Sequence, residues 1–437
     1  MGLGLLGRGV NDAKFFVEQG AEVTVTDLKT KSELSSSLKE LAGLPINFVL
    51  GKHREQDFKD QDLILRGAGV PRNSKYIKIA KENNIPIEMD ESLFAKNCPC
   101  PIIGVTGTRG KTTTTILIYE ILKRAFDSKN EQSRRVFLGG NIKGMATLPF
   151  VDQVDKDSLV VLELSSWQLQ GFDDAGISPK YSLITNIFPD HLDKYIDMEE
   201  YINDKKVIFK YQQAEDYLFL NSDDQITSKF YREAKSKIVW FSRVDVHSDF
   251  QVNLLGKHNL SNIAAAIKVC QTVGVDYQTI KSVVAEFKGV DGRLELAAQL
   301  GRVKFINDTT STTPVAGEAA LDAFKDENII LITGGADKKL DFKDFAQKII
   351  TQTKKTIFLE GEGTKRLLAA LDDLNYKKEM NAGVYDSLSE AVKKAYELAR
   401  EEKGIVLFSP ACSSFGLFDN EYDRGEKFVQ AVKELRS

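Results

Sequence analysis

An α/β fold in three domains is what the sequence predicts, and three features predict it. Short β-rich apolar runs alternate with amphipathic helical stretches almost from end to end, the pattern of layered proteins built around mostly parallel sheets. At 437 residues the chain is too long for one small module. The segment Asn97–Pro101, with Pro99 and Pro101 close together, reads as a linker, because proline suits neither a helix interior nor a central strand. The expected division is an N-terminal domain over 1–96, a central domain over 97–293 and a C-terminal domain over 294–437.

The first block opens with Gly2-Leu3-Gly4-Leu5-Leu6-Gly7 and continues through a helix, the strands Glu22–Thr26 and Asp62–Leu65, and the helix Lys75–Asn83. The glycine spacing, with Asp27 just after the next strand, matches a Rossmann-like dinucleotide fingerprint. Close packing of a helix on a sheet would explain the same glycines. The strand that normally feeds such a turn is missing, since only Met1 precedes Gly2. That strand belongs in the middle of the sheet, so an apolar extension of roughly 5 to 10 residues upstream of Met1 is expected in the natural protein.

The central block carries the strands Ile102–Val105, Leu159–Leu162, Ser182–Ile187, Tyr217–Leu220 and Ile238–Phe241, with a long helix starting at Lys111. The third block follows Gly292 and Arg293. Its five strand candidates are Val303–Ile306, Ile329–Thr333, Thr356–Leu359, Gly383–Tyr385 and Ile405–Phe408, with helical segments between them, which reads as a second, doubly wound Rossmann-like sheet.

Composition excludes several function classes. Lys and Arg number 59 against 63 Asp and Glu, a net charge of -4, and no block of like charges forms a basic arm, so no nucleic-acid partner is expected. The four cysteines, Cys98, Cys100, Cys270 and Cys412, are too few and too scattered for a disulfide framework and suggest a reducing compartment. No apolar run approaches the roughly 18 to 20 residues of a membrane span, and the first residues lack a signal peptide's pattern. A cytoplasmic monomer without a membrane partner is expected.

The strongest local signal is Thr106-Gly107-Thr108-Arg109-Gly110-Lys111-Thr112-Thr113 between a strand and a helix. Such a loop turns backbone N–H groups inward around phosphate oxygens, while the helix N-terminus and the Lys111 ammonium add positive potential. Thr112 then offers a hydroxyl to Mg2+. Val105 stands where the strict P-loop pattern wants glycine, so the loop is a variant of the ATP-binding type. Glu163, at the end of an apolar strand, is placed to hold Mg2+ directly or through water. His191 follows another strand end in Thr185-Asn186-Ile187-Phe188-Pro189-Asp190-His191-Leu192-Asp193, where a satisfied structural histidine and a functional one are both open.

Together these motifs resemble the Mur ligase family, ATP-dependent amide ligases of peptidoglycan precursor synthesis. The resemblance spans nearly the whole chain and includes the variant phosphate loop, Gly139-Gly140-Asn141, the stretch from Glu163, Asn186 to Asp193, Tyr201 to Phe209, Gly256 to Asn262, and Gly292-Arg293. Ser409-Pro410-Ala411-Cys412-Ser413-Ser414-Phe415 with Arg424-Gly425 is most similar to the branch that adds D-glutamate to UDP-N-acetylmuramoyl-L-alanine. The resemblance implies an N-terminal domain that binds the UDP substrate, a central P-loop domain that binds ATP, and a C-terminal domain that binds the amino acid.

It also implies roles residue by residue. Lys111, Glu163, His191 and Lys205 would be catalytic, with Thr112, Glu163, His191 and a carbamylated Lys205 around Mg2+. ATP would meet Gly107, Thr108, Arg109, Gly110, Lys111, Thr112 and Thr113, then Asn259, Asn262, Arg293 and Asp308. The UDP substrate would meet Leu5, Leu6, Asp27, Gly69, Asn141 and His191, and D-glutamate would meet Thr312, Lys338, Ser414 and Phe415. Lys206 is the alternative to Lys205 if the helix is out of register by one. Two departures stand out: Thr310 occupies a position where this branch commonly has lysine, and Arg109 replaces a frequent asparagine. The competing readings are a sister Mur or folylpolyglutamate-type ligase with another acceptor, and a non-catalytic nucleotide-binding homologue.

Overall fold

In the computed structural model, which describes residues 1–5, 7–128, 134–142, 145–191, 194–254, 256 and 258–435, the chain begins with two small parallel pairs. Strand β1 (Val23–Asp27) pairs with β2 (Ile46–Leu50), and β3 (Ile64–Leu65) with β4 (Ile87–Glu88). Met1 and Gly2 run between the pairs. The Gly2 N–H donates to the Thr26 carbonyl at 2.8 Å, the Met1 ammonium to Leu65 at 2.9 Å, and the Gly67 N–H to Met1 at 2.9 Å. Two residues therefore bridge what would otherwise be separate sheets, and each pair keeps its own core. Leu3, Val10, Val25, Leu34 and Leu41 pack on one side, and Phe58, Ile64, Ala80 and Ile85 on the other.

A six-stranded parallel sheet follows, made of β5 (Ile102–Thr106), β6 (Val136–Gly140), β7 (Leu159–Glu163), β8 (Tyr181–Ile184), β9 (Tyr217–Asn221) and β10 (Lys237–Phe241). Its order is β10-β9-β8-β5-β7-β6. Every residue of β5 and β7 is buried, which is why both read as continuous apolar runs instead of alternating ones. Between β7 and β8, β5 sits where the strand order reverses, so its C-terminal end opens into the crevice where such sheets take ligands.

The last sheet comprises β11 (Glu295–Leu300), β12 (Val303–Asn307), β13 (Ile329–Gly334), β14 (Thr353–Leu359), β15 (Asn381–Tyr385) and β16 (Ile405–Phe408), in the order β11-β12-β16-β13-β14-β15. Helices cover both faces. Leu331, Phe345, Phe358 and Leu367 fill one core, and Phe305, Ile332, Val392 and Phe428 the other. The doubly wound expectation needs one addition, since β11 runs antiparallel to β12 at the edge. The chain forms two compact units, one of residues 1–187, 199–245 and 262–283 and the other of 188–198, 246–261 and 284–437. All four cysteines are free thiols. Among the described residues no helix is long and apolar enough to cross a membrane.

Candidate functional site

The phosphate-type loop joins β5 to the helix Lys111–Ser128. Gly107 and Gly110 have φ of 142° and 80°, and a Cβ on either would collide with the Thr185 hydroxyl or the Asn262 side-chain oxygen respectively. Only glycine lets the backbone pass here. Residues at the end of β8 then pin the loop: the Thr108 and Arg109 N–H groups donate to the Asn186 carbonyl and Oδ1, both at 2.9 Å, and the Thr185 hydroxyl donates to the Arg109 carbonyl at 2.7 Å. The Lys111 ammonium folds back to the Gly107 and Thr108 carbonyls at 3.1 Å each. A cation, a glycine-bounded loop and a helix N-terminus thus come together, a combination whose chemistry suits a polyphosphate.

The end of β7 brings a carboxylate to this edge of the sheet. Glu163 is 2% exposed, and its Oε1 accepts from Asn141 Nδ2 at 3.2 Å. Its Oε2 is buried with no hydrogen-bond partner. Leaving an anionic oxygen dry and unpaired is costly, so the position suits a hard cation that takes oxygen ligands. Among the described residues no three His, Cys, Asp or Glu side chains form a metal cage.

On the helix Met198–Lys210, Lys205 is 2% exposed and donates to the Gly107 carbonyl at 2.9 Å, with its Nζ 4.6 Å from the centre of the Tyr201 ring. The Tyr201 hydroxyl lies 3.1 Å from Thr108 Oγ1. Lys206 points elsewhere and pairs with Glu233 at 2.7 Å. Of the two adjacent lysines, the structure brings Lys205 to the phosphate loop.

Near the N-terminus, buried Asp27 accepts from the Gly4 N–H at 3.2 Å and the Lys29 N–H at 2.9 Å, which ties the glycine-rich turn to the end of β1. Leu5 is exposed beside it, Gly69 lies in the turn after β3, and Leu6 lies outside the described residues. A cluster that the sequence reading missed adjoins this turn. The Arg8 Nε lies 3.3 Å from Glu91 Oε1 and 3.9 Å from Asp90 Oδ2, and its other end donates to the Gly140 carbonyl at 3.0 Å. Burial, reinforced by Glu91, pushes the Asp90 carboxyl up to about 7, although the Thr147 and Leu148 N–H groups bind it. Burial likewise holds Asp12 well above the ordinary carboxylate range, with Asp90 and Glu91 adding to the effect. The one clue in the sequence was an arginine directly after the glycine turn.

Apart from Asn262, the remaining candidates lie in the second unit. His191 has φ of 56°, donates its N–H to Asp190 Oδ1 at 2.9 Å, and holds its Nε2 3.7 Å from Asp190 Oδ2. Asp308 is buried at the end of β12, where it accepts from the Leu294 N–H at 3.2 Å and the Ser409 hydroxyl at 2.8 Å, just beyond Arg293. Thr310 sends its hydroxyl to the Gly292 carbonyl at 2.9 Å and so stitches this loop where a lysine would add charge. The Lys338 ammonium meets Thr312 Oγ1 at 3.1 Å, and backbone bonds of 3.0 and 3.1 Å between Ala336 and Ser413 bring the segments of Lys338 and Ser414 side by side. Phe415 is exposed. A fully buried Arg424, pushed down to about 10 by burial, braces the same loops by donating to Thr309 and Cys412. Asn259 is buried in this unit, while Asn262, on the same helix His258–Val273, belongs to the first unit beside Gly110.

Comparison with known proteins extends these local features to the whole chain. A model of the Mur ligase middle domain matches residues 105–249, and one of the Mur ligase glutamate ligase domain matches residues 292–412. The UDP-N-acetylmuramoylalanine–D-glutamate ligase of Roseiflexus sp. (strain RS-1) is 39% identical over 466 residues, covering 100% of this chain and 98% of that protein. The enzyme of the same name from Borreliella burgdorferi (strain ZS7) is 37% identical, covering 100% and 97%. Among solved structures, the UDP-N-acetylmuramate-alanine ligase of Thermotoga maritima superposes with a TM-score of 0.64 at 22% identity, over 99% of this chain and 98% of that one. Matched along its full length at more than a third identity, and by domain models at both six-stranded sheets, the chain belongs to the Mur ligase family.

Proposed function

We propose that this protein is an ATP-dependent amide ligase that joins D-glutamate to UDP-N-acetylmuramoyl-L-alanine in peptidoglycan precursor synthesis. The observation that carries the reading is the convergence of Lys111 and Lys205 on the Gly107 carbonyl, in a chain alike from end to end to D-glutamate-adding ligases. The alanyl carboxylate attacks the γ-phosphorus of ATP, the bond to the β-phosphate oxygen breaks, and ADP leaves an acyl phosphate behind. The D-glutamate amine then attacks the acyl carbon. Collapse of the tetrahedral intermediate forms the amide, expels inorganic phosphate and releases a proton.

Each residue's part follows from its chemistry. The loop from Gly107 to Thr113 cradles the phosphates, and Lys111 offsets charge on the transferring group. Asn262 and Asn259 serve adenine, and Arg293 and Asp308 the nucleotide's ribose and phosphates. Leu5, Leu6, Asp27 and Gly69 serve the UDP substrate's nucleotide end, and Asn141 its reacting end. Thr312, Lys338, Ser414 and Phe415 receive the D-glutamate carboxylates and backbone. Thr112, Glu163, His191 and a carbamylated Lys205 are the residues that would hold Mg2+, which when bound supplies Lewis-acid neutralisation of phosphate charge. Lys205 suits carbamylation because its buried amine would become an anionic oxygen donor. With ATP as a substrate, the reaction belongs in the cytoplasm, and we expect a monomer organised in domains 1–96, 97–293 and 294–437.

Phosphate release in the presence of both substrates tests the reading. It should require ATP, Mg2+, UDP-N-acetylmuramoyl-L-alanine and D-glutamate together, and release without the amino acid acceptor would contradict it.

A further inference from the structure

Arg8 stands on the first turn of the helix Arg8–Glu18, directly after Gly7, whose φ is 84°. A cation there opposes the helix dipole, so helix stability does not account for it. Its surroundings do. One side of the guanidinium faces the buried Asp90–Glu91 pair, and Glu91 is itself fixed by a hydrogen bond from Gln168. The other side donates to the Gly140 carbonyl at 3.0 Å and to Asn141 Oδ1 at 3.5 Å. The opposite end of that amide, Asn141 Nδ2, donates to Glu163 Oε1 at 3.2 Å.

These contacts fix the direction of the Asn141 amide. A guanidinium can only donate and a carboxylate can only accept, so a flipped amide would set NH2 against Arg8 and oxygen against Glu163. We infer that Arg8 is a positioning residue, holding the Gly140–Asn141 turn and the sense of the Asn141 amide against Glu163, so that the reacting end of the UDP substrate meets a preset donor and acceptor. This rests on the proposed reading that Asn141 meets that substrate. Lysine could neutralise Asp90 and Glu91 but lacks the fork that spans both sides.

The test is a double-mutant cycle of Arg8→Lys and Asn141→Ala, read two ways in the full-length enzyme. Calorimetric titration with UDP-N-acetylmuramoyl-L-alanine, without ATP or Mg2+, gives Kd, and phosphate release gives kcat. Arg8→Lys should melt like the parent, weaken Kd about 10-fold and lower kcat about 10- to 100-fold, with KM for ATP unchanged. In the Asn141→Ala background the same substitution should cost less than about 2-fold, because the group it positions is gone. Equal effects in both backgrounds, or an Arg8→Lys enzyme like the parent, would overturn the role of Arg8 while leaving that of Asn141 standing. If Asn141→Ala alone leaves Kd and kcat unchanged, the substrate reading of Asn141 fails and the inference falls with it. Should Arg8→Lys not fold, the pair Arg8→Met with Glu91→Gln removes one charge of each sign and takes its place in the cycle, with the same outcomes deciding.

Discussion

At the scale of single residues, charge and reach decide which side chains matter. Lys111 is only part-buried and contacts carbonyls of its own loop, so Lys111→Ala should keep its melting temperature within about 2 °C while kcat falls about 100- to 1,000-fold. Scanning calorimetry and phosphate release separate the two effects, and a folded, fully active variant contradicts the ATP assignment. Lys205 and Lys206 could not be told apart by residue type. Adjacent helix positions lie about 100° apart, and the fold turns one toward Gly107 and the other toward Glu233. Lys205→Ala should be inactive and partly restored by acetate or formate, whereas Lys206→Ala should turn over like the parent; reversed behaviour would move the role by one residue. Asp12 supplies a pH test. Its carboxyl is raised by burial, so its contribution to stability is present below the ordinary carboxylate range and is lost as pH rises. Asp12→Asn should therefore match the parent's melting temperature near pH 4 and exceed it at pH 8. A gap that does not change with pH would refute this account. The Arg8, Asp90 and Glu91 cluster was not legible, because nothing local tells a solvated acid from one the fold turns inward.

Elements differ in how plainly the sequence announces them. Strands β5, β13 and β16 are buried throughout and read at once as apolar runs. Strand β2 exposes two of its five positions, including Phe48, and β11 is a partly exposed antiparallel edge of Glu-Leu-Ala-Ala-Gln-Leu, so neither carries that signal. Strand β6, Val-Phe-Leu-Gly-Gly, ends in glycines that look like a loop until the backbone shows why they are there. A Cβ on Gly140, at φ of 87°, would strike the Glu163 backbone, so the glycine lets β6 and β7 deliver Asn141 and Glu163 side by side. The phosphate loop was legible because its glycines and lysine are local in sequence; the Thr185 and Asn186 contacts that hold it are not. Gly107→Ala should lose about 1 to 3 kcal/mol of stability and most ATP affinity, since both the dihedral and the contact with Thr185 forbid a side chain. Denaturant melts with nucleotide titration check this, and an unperturbed Gly107→Ala would mean the loop is less constrained than its contacts imply.

Across the whole molecule, the alternation of strands and helices foretold an α/β chain with two large sheets, and both are present. Less could be foretold of the N-terminal region, where the sheet is held as two pairs bridged by Met1 and Gly2. Acceptor choice is also a property of the whole chain, because the phosphate loop and Lys205 would serve any ligase of this family equally. The evidence for D-glutamate is the full-length likeness to ligases that carry that amino acid in their names. The most direct measurement is therefore phosphate release with ATP, Mg2+ and UDP-N-acetylmuramoyl-L-alanine against a panel of D- and L-glutamate, L-alanine, L-lysine and meso-diaminopimelate. Rapid release with D-glutamate alone is the predicted result; release driven by another acceptor, or by none of them, would contradict it.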